Sequence, residues 1–497
     1  MDGKRAEWLD AWPPDARPGK RTVAAILFCA CLLPGCTQGP DYVSPSVAIP
    51  PAYRFSGQPA LVDSEVASQD WWRGFGDPNL DALVAEALIG SRELMVATAR
   101  VDEFAAILAG TKSQGRPQVG YALGGDRTRA SEDKLPPIVN PLSTTWTSLL
   151  SANWEFDLCG RIRPETEEAR ANLLASDEAR QGVTLTLIAS VIGGYVTLLN
   201  LDDQLRVTDA TIAGRRKSVD LFETRLAAGW ISEFEMSQVR AEYEAALAQR
   251  PAIVQAIAIQ ENALSVLVGR NPGPIARAAS LDALQSPRVP AGLPSELLAR
   301  RPDIRQAEQQ LIASNALIGS ARALFIPRIT LTGLLGFASG SLGNLFTGPA
   351  HTWSFTGDVA GPIYAGGGIK AAVDQAEARR DQQFANYELV VQNAFRDVDD
   401  SLAALKQSAE LRAVLQRRVD TLGRSVELAT IRYENGYSDY LDVLDAERGL
   451  FNAQLQLATA RGDYERALVD LYRALGGSWT TTATGQAAGA AASGAGA

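Results

Sequence analysis

Four segments of this chain alternate apolar and polar residues as two-sided strands do, and four strands are too few to close on themselves. In TWSFTGDVAGPIY (352–364), Trp353, Phe355, Val359 and Ile363 share one face with Gly357 and Gly361, while Ser354, Thr356 and Asp358 share the other. WTSLLSANWEFDL (146–158) sets Trp146, Leu150, Ala152, Trp154, Phe156 and Leu158 against Thr147, Ser151, Asn153, Glu155 and Asp157. RPQVGYALGG (116–125) aligns Val119, Tyr121 and Leu123, and PRITLTGLLGF (327–337) aligns Ile329, Leu331, Leu335 and Phe337 against Arg328, Thr330 and Thr332. Each is about long enough to cross a bilayer at a tilt. A soluble sheet resting one face on a helical core is the competing reading. Aromatic residues near the strand ends, polar opposite faces and the anchor described below favour a membrane. In hydrocarbon every open N–H or C=O costs several kcal/mol, and closed membrane barrels need about eight strands or more. One copy therefore cannot span alone. Two copies would supply about eight strands and three about twelve, and the strands by themselves do not choose.

The rest of the chain reads as helix, twice over. SVDLFETRLAAG (218–229) matches SVELATIRYENG (425–436), so Ser218 and Ser425 fix an offset of 207 residues. At that offset Leu264 meets Leu471 and Gly269 meets Gly476, and upstream GRPQVGYALGG (115–125) resembles FIPRITLTGLLG (325–336). The unit is far longer than a solenoid repeat, so it reads as a duplication. Each half runs helix, strands, long helix, turn, helix. This predicts a leader over 1–35, an N-terminal segment over 36–75, repeats over 76–270 and 303–476, a Pro-rich connector over 271–302 and a disordered low-complexity tail over 477–497.

Pro164 suits a first helical position, and no further Pro follows before about Thr224. Such a helix spans on the order of 90 Å. The second long run, from about Ile369 to Asn435, spaces Tyr387, Val391, Ala394, Val398, Leu402, Leu405 and Ala409 by three and four. After a shift of phase, Leu411, Leu415, Val419, Leu422 and Val426 resume the spacing, which predicts a coiled-coil seam with one break. VTLTLIASVIGGYVTLLNL (183–201) is apolar enough to pass for a transmembrane helix. Its Thr184, Thr186, Ser190, Gly193, Gly194 and Asn200, within a longer helical run, point instead to buried packing.

VAAILFCACLLPGC (23–36) follows Arg17, Lys20 and Arg21 and reads as a signal sequence. It ends Leu33-Pro34-Gly35-Cys36, which resembles a bacterial lipoprotein box, with cleavage before Cys36 and acyl chains on its sulfur. A plain secretory signal is the alternative. Thr37, rather than Asp, favours delivery to the outer membrane, and at roughly 0.8 kcal/mol per buried methylene several acyl chains make a stable tether. Asp2, Glu7, Asp10 and Asp15 suggest a true start further downstream.

The matching bends RLAAGWISEFEM (225–236) and RYENGYSDYLDVLDAE (432–447) carry Gly229 and Gly436 for a left-handed helix stop, and Ser232 and Asp439 as N-caps. A turn alone needs neither Arg225 and Arg432 nor the aromatics Trp230 and Tyr437, which suggest a docking tip. Asp442 and Asp445 lie one turn apart on one helix face and would ring an axial channel in an oligomer; two acids on a solvated face are the simpler reading.

With 57 acidic against 47 basic residues the chain carries −10, which argues against nucleic acid as a partner. A single His351, three Cys (Cys29, Cys31, Cys36) near the start and a lone Cys159 offer neither a metal cluster nor a disulfide framework. There is no Gly-x-Ser-x-Gly elbow. No enzyme and no cofactor is expected, apart from the covalent lipid on Cys36.

GCTQGPDYVSP (35–45), DWWRGFGDPNLDALVAEAL (70–88) and LPSELLARRPDIRQAEQQLIASNALIGSARALFIPRITLTGLLG (293–336) resemble the TolC/OprM-type outer-membrane factors, in their NodT-like lipoprotein branch. WEFDLCGR (154–161) resembles the family's strand end, with Cys159 where an aromatic is usual. The resemblance implies a membrane α+β fold: a trimeric 12-stranded β-barrel with four strands per chain, continued by a long α-helical coiled-coil barrel, with a mixed equatorial domain built from 271–302 and the chain ends. It implies an outer-membrane exit channel of a tripartite efflux pump, lipid-anchored and extending into the periplasm. Its partners would be two sister copies, outer-membrane lipid, a periplasmic adaptor (membrane fusion protein) and an inner-membrane transporter of the RND type. Asp442 and Asp445 then match the family's acidic constriction, and Tyr433 and Glu235 a tyrosine–carboxylate latch between neighbouring hairpins. Arg225, Gly229, Trp230, Arg432, Gly436 and Tyr437 become the adaptor-docking tips. The reading from another class is a periplasmic coiled-coil structural or adaptor lipoprotein without a pore.

Overall fold

The computed structural model describes residues 39–55, 70–131, 133, 140–157, 160–287 and 294–477. The lipoprotein box with Cys36, the substituted Cys159 and the tail beyond Gly477 lie outside the described residues. The described helices are α1 (Pro78–Gly90), α2 (Arg92–Gln114), α3 (Ile162–Ala227), α4 (Glu233–Leu267), α5 (Pro294–Arg300), α6 (Pro302–Ala323), α7 (Gly368–Glu434) and α8 (Tyr440–Ala474). The strands are β1 (Gln118–Arg129), β2 (Leu142–Phe156), β3 (Arg328–Ser339) and β4 (His351–Ala360). The chain divides into two compact units, and every boundary except that between Val43 and Ser44 falls within a helix.

Among the described residues, the first unit comprises Ala106–Ala171 and Ile312–Gln382, with residues 39–43. Its core element is one sheet in the order β1-β2-β3-β4, antiparallel throughout. The register carries each strand's apolar set onto the same face: Tyr121 faces Leu150, Leu150 faces Leu335, and Leu335 faces Trp353. β2 begins at Leu142, earlier than the alternation from Trp146 predicts, because the polar run Leu142–Thr145 still finds partners in the long β1. β4 stops at Ala360, so Ile363 leaves the face on which the alternation set it. The ladder's last pair is Arg328 with Ala360. The next residue of β3's side is Pro327, which has no N–H to donate, and a Cβ on Gly361 would lie 2.8 Å from the Pro327 Cα.

The strand-to-helix junction after β2 explains the WEFDLCGR stretch. The Asp157 carboxylate accepts the N–H groups of Arg161 (2.6 Å), Ile162 (3.1 Å) and Arg163 (3.1 Å), the open donors of the first turn of α3. Arg161 bridges both oxygens of Glu155 (2.8 and 3.0 Å) and Glu165 (2.9 Å). The Trp154 indole donates to the Gly115 carbonyl at 3.1 Å. The helix therefore starts at Ile162, two residues before Pro164, whose missing N–H falls among the donors that lack a helical partner anyway.

The second unit is helical. α3 and α7 run for 66 and 67 residues, on the order of 100 Å each. The 207-residue offset takes the ends of α4, Glu233 and Leu267, onto the ends of α8, Tyr440 and Ala474. Gly229, Gly269, Gly436 and Gly476 all hold positive φ at the helix stops the repeat predicts. The apolar run 183–201 is long and apolar enough to cross a membrane by composition. Instead Ile192, Tyr195, Val196, Leu198 and Leu199 are fully buried in a core with Phe75, Leu80, Val84 and Leu264. α4 closes on it at Gly194, where a Cβ would come within 2.8 Å of Leu264. Trp71 stacks on Tyr472 with ring centroids 4.3 Å apart. Along α7 the predicted seam buries Tyr387, Val391, Ala394 and Val398 against Leu297, Ile304 and Leu471, and Leu415 packs on Leu457. Leu411, where the phase shifts, is exposed rather than in the seam.

Candidate functional site

The sheet presents its apolar face to the surroundings. Tyr121 is 81 % exposed, and Trp353 and Phe355 are each 70 % exposed. Aromatics flank this face at both ends, with Trp154 against Phe156 (5.4 Å, edge to face) at one and Phe337 against Phe346 (5.5 Å) at the other. From the row of Phe156, Ile329 and Val359 to the row of Leu123, Phe337 and His351 the strands advance eight residues. That is about 27 Å along the strand, or about 20 Å of height at a barrel-like tilt, near the apolar band of membrane barrels. The opposite face carries Asn153, Glu155, Thr330, Thr332, Thr356 and Asp358. β1 and β4 each leave one edge without a partner in the sheet. Because the order is sequential and antiparallel, β4 of one copy laid beside β1 of the next continues the alternation. His351 opens β4 at this rim, edge-on to Phe337 at 5.9 Å.

In the second unit the bends between α3 and α4 and between α7 and α8 are built alike. Trp230 N–H donates to the Arg225 carbonyl (2.9 Å) and Gly229 N–H to Leu226 (2.9 Å). Tyr437 N–H donates to Arg432 (2.8 Å) and Gly436 N–H to Tyr433 (2.9 Å). Both are left-handed stops of the Schellman type, which need glycine at φ +73° and +75°. The carbonyl four residues before each Gly receives the bond that turns the chain, a role that does not depend on the Arg side chain. Trp230 and Tyr437 stand 79 % and 77 % exposed, and Phe234, which the spacing did not single out, is exposed beside them.

The two Arg side chains differ. Arg225 Nη1 donates to the Tyr433 hydroxyl and lies over the rings of Phe222 (5.4 Å) and Tyr433 (5.6 Å). It is part of a cluster with Tyr440, whose ring centroid is 4.2 Å from that of Phe222 and 5.0 Å from that of Tyr433. Burial pushes the Tyr440 hydroxyl's pKa up. So Arg225 joins one hairpin to the other within a chain.

The carboxylates also part company. Glu235 closes a capping box: its carboxylate accepts the Ser232 N–H (2.7 Å) and hydroxyl (2.9 Å), and the Ser232 oxygen accepts the Glu235 N–H. Those bonds hold its carboxyl below the usual carboxylate range. Within one chain Glu235 bonds to Ser232 and Tyr433 to Arg225, so the two do not meet each other. At the repeat offset Glu235 corresponds to Asp442, and Ser232 to Asp439. Asp439 makes no side-chain cap bond, and the Asp442 N–H donates to the Asp439 carbonyl instead (3.2 Å). Asp442 is left exposed, one turn from Asp445, which pairs with Arg448. Behind them Arg448 reaches Glu242 (3.4 Å), and Arg215, buried, donates to the Glu242 carbonyl and stands 5.4 Å over Phe451. Burial pushes the Glu447 carboxyl up, opposed by Arg215.

A cavity of this unit, about 1020 Å³, opens beside Arg301, Arg396, Asp400, Asp470 and Arg473. Arg301 there is already held by Asp303 (2.6 Å), Asp397 (3.2 Å) and the Ala474 carbonyl (3.0 Å). It joins α5, α6, α7 and α8 rather than offering a free cation.

Two blocks of the chain, residues 83–270 and 293–477, match the model of the family described as outer membrane efflux protein. The chain is similar to the solvent efflux pump outer membrane protein SrpC of Pseudomonas putida, 35 % identical over 461 residues, covering 92 % of this chain and 98 % of that one. It is 33 % identical over 455 residues to the cation efflux system protein CusC of Escherichia coli K12, covering 90 % and 98 %. Among solved structures, the open state of the Neisseria gonorrhoeae MtrE outer membrane channel superposes with a TM-score of 0.81 at 31 % identity, covering 89 % of this chain and 98 % of that one. With two matching halves and relatives spanned almost end to end, this chain belongs to the outer membrane efflux protein family.

Proposed function

We propose that three copies of this chain close their sheets into a twelve-stranded barrel and conduct substrates passively outward from a periplasmic adaptor and an inner-membrane transporter of the RND type. The observation that carries the reading is the exposed apolar sheet face with an open edge on each side. Ten large apolar side chains are exposed there, and at about 1.5–3 kcal/mol each when buried they make the face costly in water by on the order of 15–30 kcal/mol. Lipid removes that cost only if sister copies satisfy the edges. A pore-less periplasmic lipoprotein would leave the face wet. An even number of strands per chain lets any ring of copies stay antiparallel.

The hairpin ends supply the gate and the docking surface. Asp442 and Asp445 are its acidic ring, Tyr433 and Glu235 face neighbouring hairpins, and Trp230, Tyr437, Gly229, Gly436, Arg225 and Arg432 shape the surface an adaptor meets. The relatives' names mention solvents and cations; for this chain the substrates are toxic small molecules delivered by its pump. Cys36 carries the lipid that holds each copy at the outer membrane while the barrel assembles. Purified protein reconstituted into planar bilayers, and run with and without heating in detergent gels, tests the proposal. Heat-sensitive trimers with stepwise conductance are expected. A stable monomer without conductance overturns it.

A further inference from the structure

The segment that opens the first unit is held against α6 by a close approach of two glycines. A Cβ on Gly319 would lie 3.1 Å from both the Gly39 Cα and the Pro164 Cγ, and a Cβ on Gly39 would lie 3.2 Å from the Gly319 Cα. One residue on, the Asn315 side chain donates to the Pro40 carbonyl at 2.8 Å. Gly39 thus meets Gly319 and Pro40 meets Asn315, so the segment descends one turn of α6 while the helix climbs towards β3. The Ser320 hydroxyl donates to Glu165 at 3.2 Å, which ties α6 to the first turn of α3 beside the two glycines.

Traced backwards from Gly39, the chain therefore leads towards the turn between α6 and β3. Cys36 is three residues before Gly39, so its Cα stands within about 10 Å of the crossing. Gly319 is four residues from the end of α6 at Ala323, a rise of about 6 Å. Immediately beyond that end stand Leu324 and Phe325, 46 % and 55 % exposed. Their N–H groups donate to the carbonyls of Ala321 (3.3 Å) and Arg322 (3.1 Å), so the backbone that presents them is fixed. Phe325 lies four residues before Ile329, which stands in the first apolar row of the sheet.

We infer that the acyl chains on Cys36 dock on Leu324 and Phe325, delivered there by a tether that the Gly39–Gly319 crossing keeps short. The reach of the tether matches the distance to this apolar pair and little beyond it. The inference rests on the acylated Cys36 of the proposed function and adds where its chains lie.

The test uses the full chain, purified from outer membranes of cells fed a diazirine-bearing fatty acid, irradiated and digested with trypsin. Residues 36–54 and 323–328 are each a single tryptic peptide. The two joined through an acyl chain report the chain's own lipid, whereas 323–328 joined to phospholipid reports bulk lipid. The joined pair is the expected product. Six Gly/Ser residues inserted between Gln38 and Gly39 lengthen the tether threefold outside the described fold, and the joined product should fall about fivefold, as the −3/2 power of tether length. Gly39→Val, which wedges the crossing open, should lower it in the same way; if that variant fails to fold, the insertion is read alone. A product unchanged by the insertion overturns the tether. Peptide 323–328 joined only to phospholipid, or acylated 36–54 joined only to other segments, overturns the docking site. Peptide 36–54 without acyl mass refutes the anchor itself, whereas an acylated peptide that never joins 323–328 refutes this inference alone.

Discussion

Arg225→Ala should loosen the hairpin tips without unfolding the helices behind them. The substitution removes one hydrogen bond from a charged donor, to the Tyr433 hydroxyl, and two cation–ring contacts at 5.4 and 5.6 Å. A hydrogen bond to a charged group contributes about 1.5–3 kcal/mol, discounted here to about 1 because both partners are half-buried and screened. Each ring contact adds about 0.5–1 kcal/mol at such a site. The sum is about 2 kcal/mol, or about thirtyfold in a local opening equilibrium. Phe222, Met236 and Val239 stay buried, so the hairpin core persists. Amide hydrogen exchange on the assembled channel reads the effect directly, because the Trp230 and Gly229 N–H groups are bonded into the bend. Protection over 222–236 and 433–444 should fall by up to that factor, while 187–199, in the other core, should not move. Arg225→Lys should recover part of the ring contacts and roughly half the protection. Unchanged protection at the tips would mean that ring packing alone holds them. An equal loss at 187–199 would mean that the residue acts on global stability. Either result refutes the tip-latch role.

Three further outcomes follow from the same geometry. Asp442→Ala with Asp445→Ala should raise single-channel conductance and weaken cation block about fivefold, at about 1 kcal/mol per exposed carboxylate; most of the change should come from Asp442, since Asp445 is paired with Arg448, and unaltered block in the double variant removes these residues from the gate. Gly336→Ala should abolish the heat-sensitive oligomer in gels, because its Cβ would lie 2.1 Å from the Ser148 carbonyl oxygen, backbone that cannot step aside; Gly357→Ala, 3.5 Å from a Leu331 methyl, should be tolerated. Burial pushes the Glu465 carboxyl up: the fold favours its protonated form, so that stabilisation is present in acid and lost as pH rises through the raised value. Glu465→Gln, keeping an acceptor for the Ser286 hydroxyl at 2.7 Å, should raise the melting temperature by about 1–3 °C near neutral pH, with the gain vanishing in acid; a gain that persists in acid refutes the ionisation argument.

Much of the fold was legible because the chain punctuates itself twice. Gly229 and Gly436, like Gly269 and Gly476, need a left-handed backbone, so the stops of four helices stand out at one offset. The strands were legible from alternation, and their errors have local causes. The pattern at 352–364 runs on past Ala360, but Pro327 opposite cannot donate, and alternation carries no sign of what the partner strand lacks. The site was legible only in part. Arg225 and Tyr433 are separated by more than 200 residues, and no spacing rule links a guanidinium to a ring on another helix. The pairing of Asp445 with Arg448 lies within one turn and was open to inspection. Exposed Phe234 sits in a capping segment whose polar signals outweigh it.

The split between Glu235 and Asp442 has a consequence for how such a chain diverges over time. At the repeat offset the two positions stand alike, but only Glu235 closes a capping box. Substitutions at 235 should be filtered by whether the protein folds, and those at 442 by what passes through it. Lineages carrying different cargo should therefore drift at the second position while holding the first fixed.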